Sequence, residues 1–366
     1  MKTGKSASAL VIGLALFSMF FGSGNLIFPL FVGSLAQGQS LFAMTGFIAT
    51  AVLLPFLGVI AMLVFQGNYR QFFARLLGER LGFILTAILL TVWIPLGSGP
   101  RCIVLAYGSL ASYLSMPPLW VFSGIYSAFL ILMVFKKNRL LDVLGYVLTP
   151  TLLACLFVII MQGVFQVSAP LPSEMSDGQS FFHALSEGYN TMDLIAAFFF
   201  SASVIKMIKN SSDTSSKPLL LVFQACVVGM ALLGIVYAGM IFLAAKHAVL
   251  VVGVPKDQLL SHLALELLGP QLGIVSAIAV AVACFTTSIA LLIVYVDFLR
   301  YYVFPKDTRG RASIFLTLVG SFVMSIFGLG GITAVTAPVL KVLYPLLLIM
   351  IVVNVPLAIR RQKIAA

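Results

Sequence analysis

Charge is scarce in this sequence. Only 9% of its 366 residues are Asp, Glu, Lys or Arg, against about 25% in a typical soluble domain. That is too little polar material to cover a water-facing surface, so a soluble enzyme or binding module is excluded. The three histidines (His183, His247, His262) lie in or beside the more polar connections. No H-E-x-x-H pair occurs, which excludes a zinc protease of that class. The four cysteines (Cys102, Cys155, Cys226, Cys284) fall inside apolar runs, so a disulfide framework is excluded. No G-x-x-x-x-G-K-[ST] loop is present, and the chain cannot hydrolyse ATP by a P-loop. Aspartate-rich metal motifs and a histidine at depth near a nucleophile serine are missing too, which argues against a membrane enzyme. There is no repeated charged ring and no filter loop of the sort a channel needs.

Apolar residues make up 61% of the chain, and the mean hydropathy is +1.12. Disorder is thereby excluded, and an all-α polytopic membrane protein is predicted. A helix needs about 20 apolar residues to cross the hydrocarbon core. Ten stretches qualify, at roughly 8–33, 41–66, 81–110, 118–135, 142–165, 181–205, 218–245, 270–299, 312–328 and 334–357. The first has Lys2 and Lys5 ahead of it, as a signal peptide would. Its apolar character runs on through Leu26–Val32, past a usual cleavable core, so it reads as a mature span. The connections are short, the longest being about 166–180 and 246–269. The whole chain, 1–366, therefore reads as one integral membrane domain.

The basic residues orient these spans. Eighteen of the 22 Lys and Arg fall at the termini or in every second connection, two (Lys246 and Lys256) in the alternate connections, and two (Arg101 and Lys341) within spans. By the positive-inside rule both termini are cytoplasmic. The net charge of +11 is thus a topology signal, and no nucleic-acid partner is needed to explain it.

Two spans carry an interruption. Gly22-Ser23-Gly24-Asn25 falls near the middle of the first, with Pro29 following. Small residues at depth have a simple explanation as a tight helix contact. They are also poor helix formers, and an unwound segment would free backbone groups to line a site. The sixth span is interrupted by Glu187-Gly188-Tyr189-Asn190-Thr191-Met192-Asp193. A helix beginning only after this point would be too short to cross. Asp193 at such depth costs a few kcal/mol on insertion scales, so it needs a reason to be there. Five spans separate the two breaks, and an odd number inverts the second half (about 181–357) relative to the first (about 8–165). Matching breaks in two inverted halves point to a secondary-transporter site.

The chemistry of such a site follows from helix ends. A half-helix starting at Gly24–Asn25 turns N–H groups and a positive dipole end toward the gap, which suits a carboxylate. Carbonyls at the end of the preceding half-helix, around Phe21 and Gly22, suit an ammonium group or Na+. A zwitterionic amino acid supplies both charges. Neighbouring Phe20, Phe21, Phe28, Met192, Phe198 and Phe199 favour an apolar side chain. The expected substrate contacts are Gly22, Ser23, Gly24, Asn25, Tyr189, Asn190, Thr191 and Asp193.

These segments resemble the bacterial branched-chain amino acid:cation symporter family. FFGSGNLIFP at 20–29 is similar to its F-x-G-A-G-N-x-I-F-P segment, with Ser23 in place of the usual alanine. PLGSGPR (95–101), LLDVLGYVLTP (140–150), EGYNTMDLIAA (187–197), CFTTSIAL (284–291) and PVLKVLYP (338–345) resemble further family segments, in order along the chain. The resemblance implies a five-plus-five inverted-repeat transporter fold with broken helices 1 and 6. It also implies uptake of leucine, isoleucine and valine across the bacterial inner membrane, coupled to Na+ or H+, with no other cofactor. Relatives of this fold place a sodium ion between the first break and eighth-span hydroxyls. The matching positions are Thr286, Thr287 and Ser288, of which one or two at most can face one site. The hydroxyls' ordinary alternative is to bond back to the preceding turn.

Two departures stand out: ten spans where the family usually has twelve, and Lys341 where a neutral residue is expected. Lys341 is either a gate or substrate contact, or a lysine snorkelling to the outer surface. Arg101, beside Gly99 and Pro100, should have a partner at its depth. It is expected at an outer gate or in contact with substrate, with Asp193 or Glu187 as counter-charge, or else as a structural ion pair with no transport role. The readings that compete with branched-chain uptake are a same-fold transporter for another apolar amino acid, such as methionine, and a channel.

Overall fold

The computed structural model describes residues 9–135, 140–166, 172–211 and 218–365. Among the described residues all regular structure is helical. The helices are α1 (Ala9–Phe20), α2 (Ser23–Ala36), α3 (Ser40–Ile48), α4 (Leu54–Val64), α5 (Tyr69–Trp93), α6 (Gly99–Ala111), α7 (Leu119–Phe135) and α8 (Leu140–Phe165). They continue with α9 (Asp177–Gly188), α10 (Asp193–Ser211), α11 (Pro218–Lys246), α12 (Ala248–Val251), α13 (Leu259–Tyr302), α14 (Arg311–Ile326) and α15 (Gly328–Ala365). Each of the ten apolar stretches has a helical counterpart. By length and composition five helical segments qualify as membrane spans, among them Ser23–Val64, Tyr69–Ala111 and Leu259–Tyr302. The shorter apolar helices include Ala9–Phe20 and Arg311–Ile326.

Glycines set where these helices bend. Gly78, at φ 77°, divides α5 into a first segment that carries Arg70 and Arg75 and a longer apolar segment. Asn68 caps the first segment by accepting from the Gln71 amide at 3.0 Å, which satisfies one of the amides a helix start leaves over. Gly269, at φ 76°, divides α13 in the same way just before Pro270, and the long part that follows corresponds to the eighth apolar stretch. Wide π-type turns join α3 to α4 at Ala49–Leu53 and α5 to α6 at Ile94–Ser98. Such turns recur at functional sites, and the second lies against the site described below.

Packing follows close backbone approaches. A Cβ on Gly33 of α2 would sit 2.2 Å from the Ile241 carbonyl oxygen of α11, and one on Gly46 of α3 would sit 2.2 Å from the Phe181 oxygen of α9. Only glycine admits that proximity, as expected of helix contacts in lipid. α1 and α2 pack on α11, α3 and α4 pack on α9 and α10, α6 and α8 pack on α13, and α7 packs on α14. The perimeter carries Leu41, Phe157, Ile235, Phe315, Val342 and Ile349, each at least 60% exposed. An apolar perimeter around a core that holds Arg101, Asp193 and Asn25 fits a lipid surround.

The described basic residues sort to two ends. Arg70 donates to the Tyr302 hydroxyl at 3.1 Å, and Arg300 donates to the Asp307 and Thr308 carbonyls. Lys246 donates to the Val164 carbonyl, and Lys256 lies over the Phe31 ring at the opposite end. Several of the residues used to orient the spans, including Lys2, Lys5, Lys136, Lys137, Arg139 and Lys217, lie outside the described residues.

Candidate functional site

Both expected interruptions are present. α1 ends at Phe20, Gly22 is extended (φ −116°, ψ −166°), and α2 begins at Ser23, one residue earlier than the predicted start at Gly24–Asn25. The shift arises because Gly22 itself takes the non-helical cap position. Pro29, inside α2, has no N–H to offer the Asn25 carbonyl one turn back. In the sixth stretch α9 ends at Gly188 and a single 3-10 turn covers Tyr189–Thr191. Met192 is left-handed (φ 64°, ψ 15°), and α10 starts at Asp193. A left-handed conformation is unusual for a residue with a long side chain and marks local strain. Gly97 accommodates it, since a Cβ there would lie 2.6 Å from Met192 Cε.

The two breaks meet. A Cβ on Gly24 would lie 3.2 Å from Thr191 Cα. Asn25 Nδ2 donates both to the Phe20 carbonyl at 2.6 Å and to Asp193 Oδ2 at 3.0 Å. With both amide protons given to oxygens, the orientation of the amide is fixed. Its Oδ1 is then a buried acceptor without a partner. Asp193 is buried, and its Oδ2 also accepts from the Tyr237 hydroxyl of α11 at 3.3 Å. Tyr237 had no signal in the sequence, being one tyrosine in an unbroken apolar run.

A cavity of about 40 Å³ lies at this junction, lined by Gly22, Ser23, Gly24, Asn25, Thr191, Asp193 and Thr287 among others. Trp93, Ser98, Phe200 and Leu291 also line it, and the sequence gives little sign of these four. Trp93 is one of only two tryptophans, which was the available hint. The oxygen donors here (a carboxylate, hydroxyls, an amide oxygen and helix-end peptides) suit an ammonium group or a hard cation. Roughly 10–15 Å³ admits one water and ligand pockets begin near 300 Å³, so the cavity is closed down.

The remaining expected residues lie elsewhere. Asn190 does not line the cavity: its Nδ2 donates to Glu187 Oε2 at 2.9 Å and its carbonyl accepts from Arg101 Nη1. Tyr189 packs against Tyr344 with ring centroids 4.6 Å apart and the rings tilted by 38°. Phe21 stacks on Phe17 at 5.0 Å. Thr286 donates back to the Ala283 carbonyl at 2.9 Å, and the Ser288 hydroxyl is within 3.0 Å of the Tyr126 hydroxyl. Of the three eighth-span hydroxyl residues, only Thr287 lines the cavity, because consecutive residues on a helix are turned about 100° apart.

Arg101 is fully buried; the expected counter-charges Glu187 and Asp193 act on it through space, but neither carboxylate forms a direct ion pair with it. Among the described residues the ion pairs are Arg70–Glu79 and His183–Glu187. Arg101 instead holds the Asn190 carbonyl, the Thr336 hydroxyl at 3.1 Å and the Phe28 ring at 5.1 Å. It thus ties α6 to the sixth-span break, to α15 and to α2. A guanidinium forks to two oxygens at once, which an ammonium on one stem does not. Lys341 is exposed on α15 and takes no part in the cluster.

Two layers bracket the cavity. On one side are Arg101 with Asn190 and Thr336, and the tilted Tyr189–Tyr344 pair. On the other, Trp93 stacks on Phe199 at 5.9 Å and meets Phe200 edge-on at 5.2 Å.

Comparison with known proteins gives this arrangement its context. The family model described as "Branched-chain amino acid transport protein" matches residues 5–364. The chain belongs to that family. It is 30% identical over 356 residues to the branched-chain amino acid permease BraB of Bacillus subtilis, covering 94% of this chain and 79% of that one. Identity is 31% over 347 residues to the permease BrnQ of Corynebacterium glutamicum, covering 92% and 78%. Its relatives are permeases, so this member of the family is a multi-pass membrane transport protein and not an enzyme. A solved structure of a manganese transporter from Eremococcus coleocola shares the fold, with a TM-score of 0.54 at 17% identity over 86% of this chain and 70% of that one.

Proposed function

We propose that this family member takes up leucine, isoleucine and valine with a cotransported cation by alternating access in the bacterial inner membrane, with its termini in the cytoplasm. The observation that carries the reading is the Asn25–Asp193 hydrogen bond. It joins two helix breaks around a buried cavity and leaves Asn25 Oδ1 as an unused acceptor. The substrate carboxylate is received by the first amides of α2 at Ser23 and Gly24, where the helix dipole is positive. The ammonium group or the cation is received by Asn25 Oδ1, Asp193 and the Thr287 hydroxyl. Phe20, Trp93, Phe200 and Leu291 receive the branched side chain once the cavity widens.

Ten spans in two inverted halves fit the packing. The first span packs on the seventh through α1, α2 and α11, and the sixth packs on the second through α9, α10, α3 and α4. Exchanging the halves converts one pair into the other. The third span packs on the eighth and the fourth on the ninth, pairs that the same exchange leaves unchanged. Alternating access then follows from the two layers, one opening while the other stays shut.

The test is uptake of radiolabelled leucine into proteoliposomes under an imposed Na+ gradient, an imposed H+ gradient, or neither. Accumulation driven by one gradient and competed by isoleucine and valine is expected. Uptake indifferent to both gradients defeats the symport reading, and leucine ignored altogether defeats the substrate assignment.

A further inference from the structure

A second pocket, of about 340 Å³ and open to the surface, lies beyond the Trp93–Phe199 layer, at the end of the molecule that carries Arg70 and the Arg300 loop. Its volume falls within the range of ligand pockets, unlike that of the central cavity. Phe199 lines this pocket and Trp93 lines the central cavity, so the stacked pair of rings separates the two spaces.

The lining is chemically mixed. Asp297 lies at an exposed position of α13 and makes no hydrogen bond or ion pair with any described residue. Around it are Tyr69, Tyr301 and Tyr302, and the apolar wall is Leu90, Val294 and Phe298. Arg70 sits at the edge, with its guanidinium 5.0 Å from the Tyr302 ring centre and bonded to the Tyr302 hydroxyl at 3.1 Å. Glu79 approaches the same guanidinium only at 3.8 Å. A carboxylate without a partner, aromatic faces that attract cations, an arginine at the rim and an aliphatic wall form a set complementary to a zwitterion with an apolar side chain.

We propose that this chamber is a second amino-acid station, where the transported substrate rests between the central site and the aqueous phase on the amino-terminal side. The ammonium group lies against Asp297 and the tyrosine faces, the carboxylate faces Arg70, and the side chain lies on Leu90, Val294 and Phe298. The station rests on the amino-acid transport reading above. Rotation of Trp93 and Phe199 apart connects the two spaces and lets the substrate pass from one to the other.

The experiment measures leucine transport by the full chain in proteoliposomes of fixed sidedness, with substrate supplied from each face in turn. Asp297→Asn removes the charge at an exposed position and leaves the fold in place. The ratio of half-saturating leucine on the amino-terminal face to that on the opposite face is expected to rise about tenfold, as loss of one charge-assisted contact implies. Val294→Trp, which fills the chamber, is expected to move the ratio in the same direction, and Asp297→Glu to restore it. An unchanged ratio in both Asp297→Asn and Val294→Trp overturns the station. Failure of the unsubstituted protein to transport leucine from either face is a different result, and it overturns the transport reading itself.

Discussion

Asn25 has two amide protons and gives them to Phe20 and Asp193, so each substitution there has a distinct consequence. Asn25→Ala leaves a buried carbonyl and a buried carboxylate oxygen short of a donor. Each such loss costs about 1–3 kcal/mol, and uptake is expected to fall at least about tenfold, measured as initial leucine uptake at fixed expression. Asp193→Asn keeps a polar side chain of the same shape and removes the charge. Uptake is expected to lose its dependence on the cation gradient, and full uptake with that dependence intact would remove Asp193 from the coupling site. Among the hydroxyls, Thr287→Ala is expected to raise the half-saturating cation concentration about tenfold, the equivalent of one lost charged contact. Thr286→Ala acts only on a bond back to Ala283 and is the control. Residue-scale legibility was uneven for a physical reason. Gly22, Ser23, Gly24, Asn25, Thr191 and Asp193 were readable because each violates what an apolar helix prefers. Tyr237, Trp93 and Phe200 violate nothing, and only the packing of distant helices brings them to the cavity.

At the scale of elements, helix breaks were legible and helix partners were not. Low helix propensity at Gly22-Ser23-Gly24 and the ionisable Asp193 are local properties. That α2 lies on α11 and α3 on α9 depends on surfaces far apart in sequence. Those contacts make a direct prediction. Gly33→Ala and Gly46→Ala each drive a methyl group into a backbone oxygen at 2.2 Å. Overpacking of this kind costs about 1–3 kcal/mol, so a lower thermal midpoint in detergent is expected. Gly234→Ala, which meets nothing within 4 Å, is expected to leave the midpoint unchanged or raise it, since alanine is the better helix former.

Outside the spans, Asp307 accepts from the Ser313 amide and hydroxyl, each at 2.9 Å, near the start of α14. These bonds favour the carboxylate and hold its pKa below the usual value, the Ser313 amide being the largest cause. A depressed carboxyl pKa stabilises the fold above the unfolded-state value, about 3.9, and that stability is lost as pH falls through the folded value. The thermal midpoint of Asp307→Asn is therefore expected to lie below that of the unsubstituted protein at pH 7, with the gap closing on acidification below about pH 4. A gap that persists at low pH would mean that the bonds do not depend on charge.

For the whole molecule, the sequence already carried the all-helical, apolar character of the chain and its membership of a transport family. It did not carry the state of closure, which depends on the relative placement of four elements around Arg101 and two aromatics around Trp93. The Arg101 layer joins α6, α2, α15 and the turn at Tyr189–Thr191, so opening on that side must break the bonds to Asn190 and Thr336 together. The Trp93 layer has no such bonds and parts by sliding of apolar rings. Loosening one layer is thus expected to admit solvent from its own face only. Ser98 lines the central cavity, and a Ser98→Cys reporter in a Cys155→Ser background reads access to it with a membrane-impermeant thiol reagent. Arg101→Ala removes two hydrogen bonds of about 1 kcal/mol each, and labelling from the face carrying Lys256 is expected to quicken roughly five- to thirtyfold. Trp93→Ala is expected to quicken labelling from the opposite face and leave the first rate in place. If either substitution speeds labelling from both faces alike, the cavity is a continuous pore when disturbed, and the two layers are not alternating barriers.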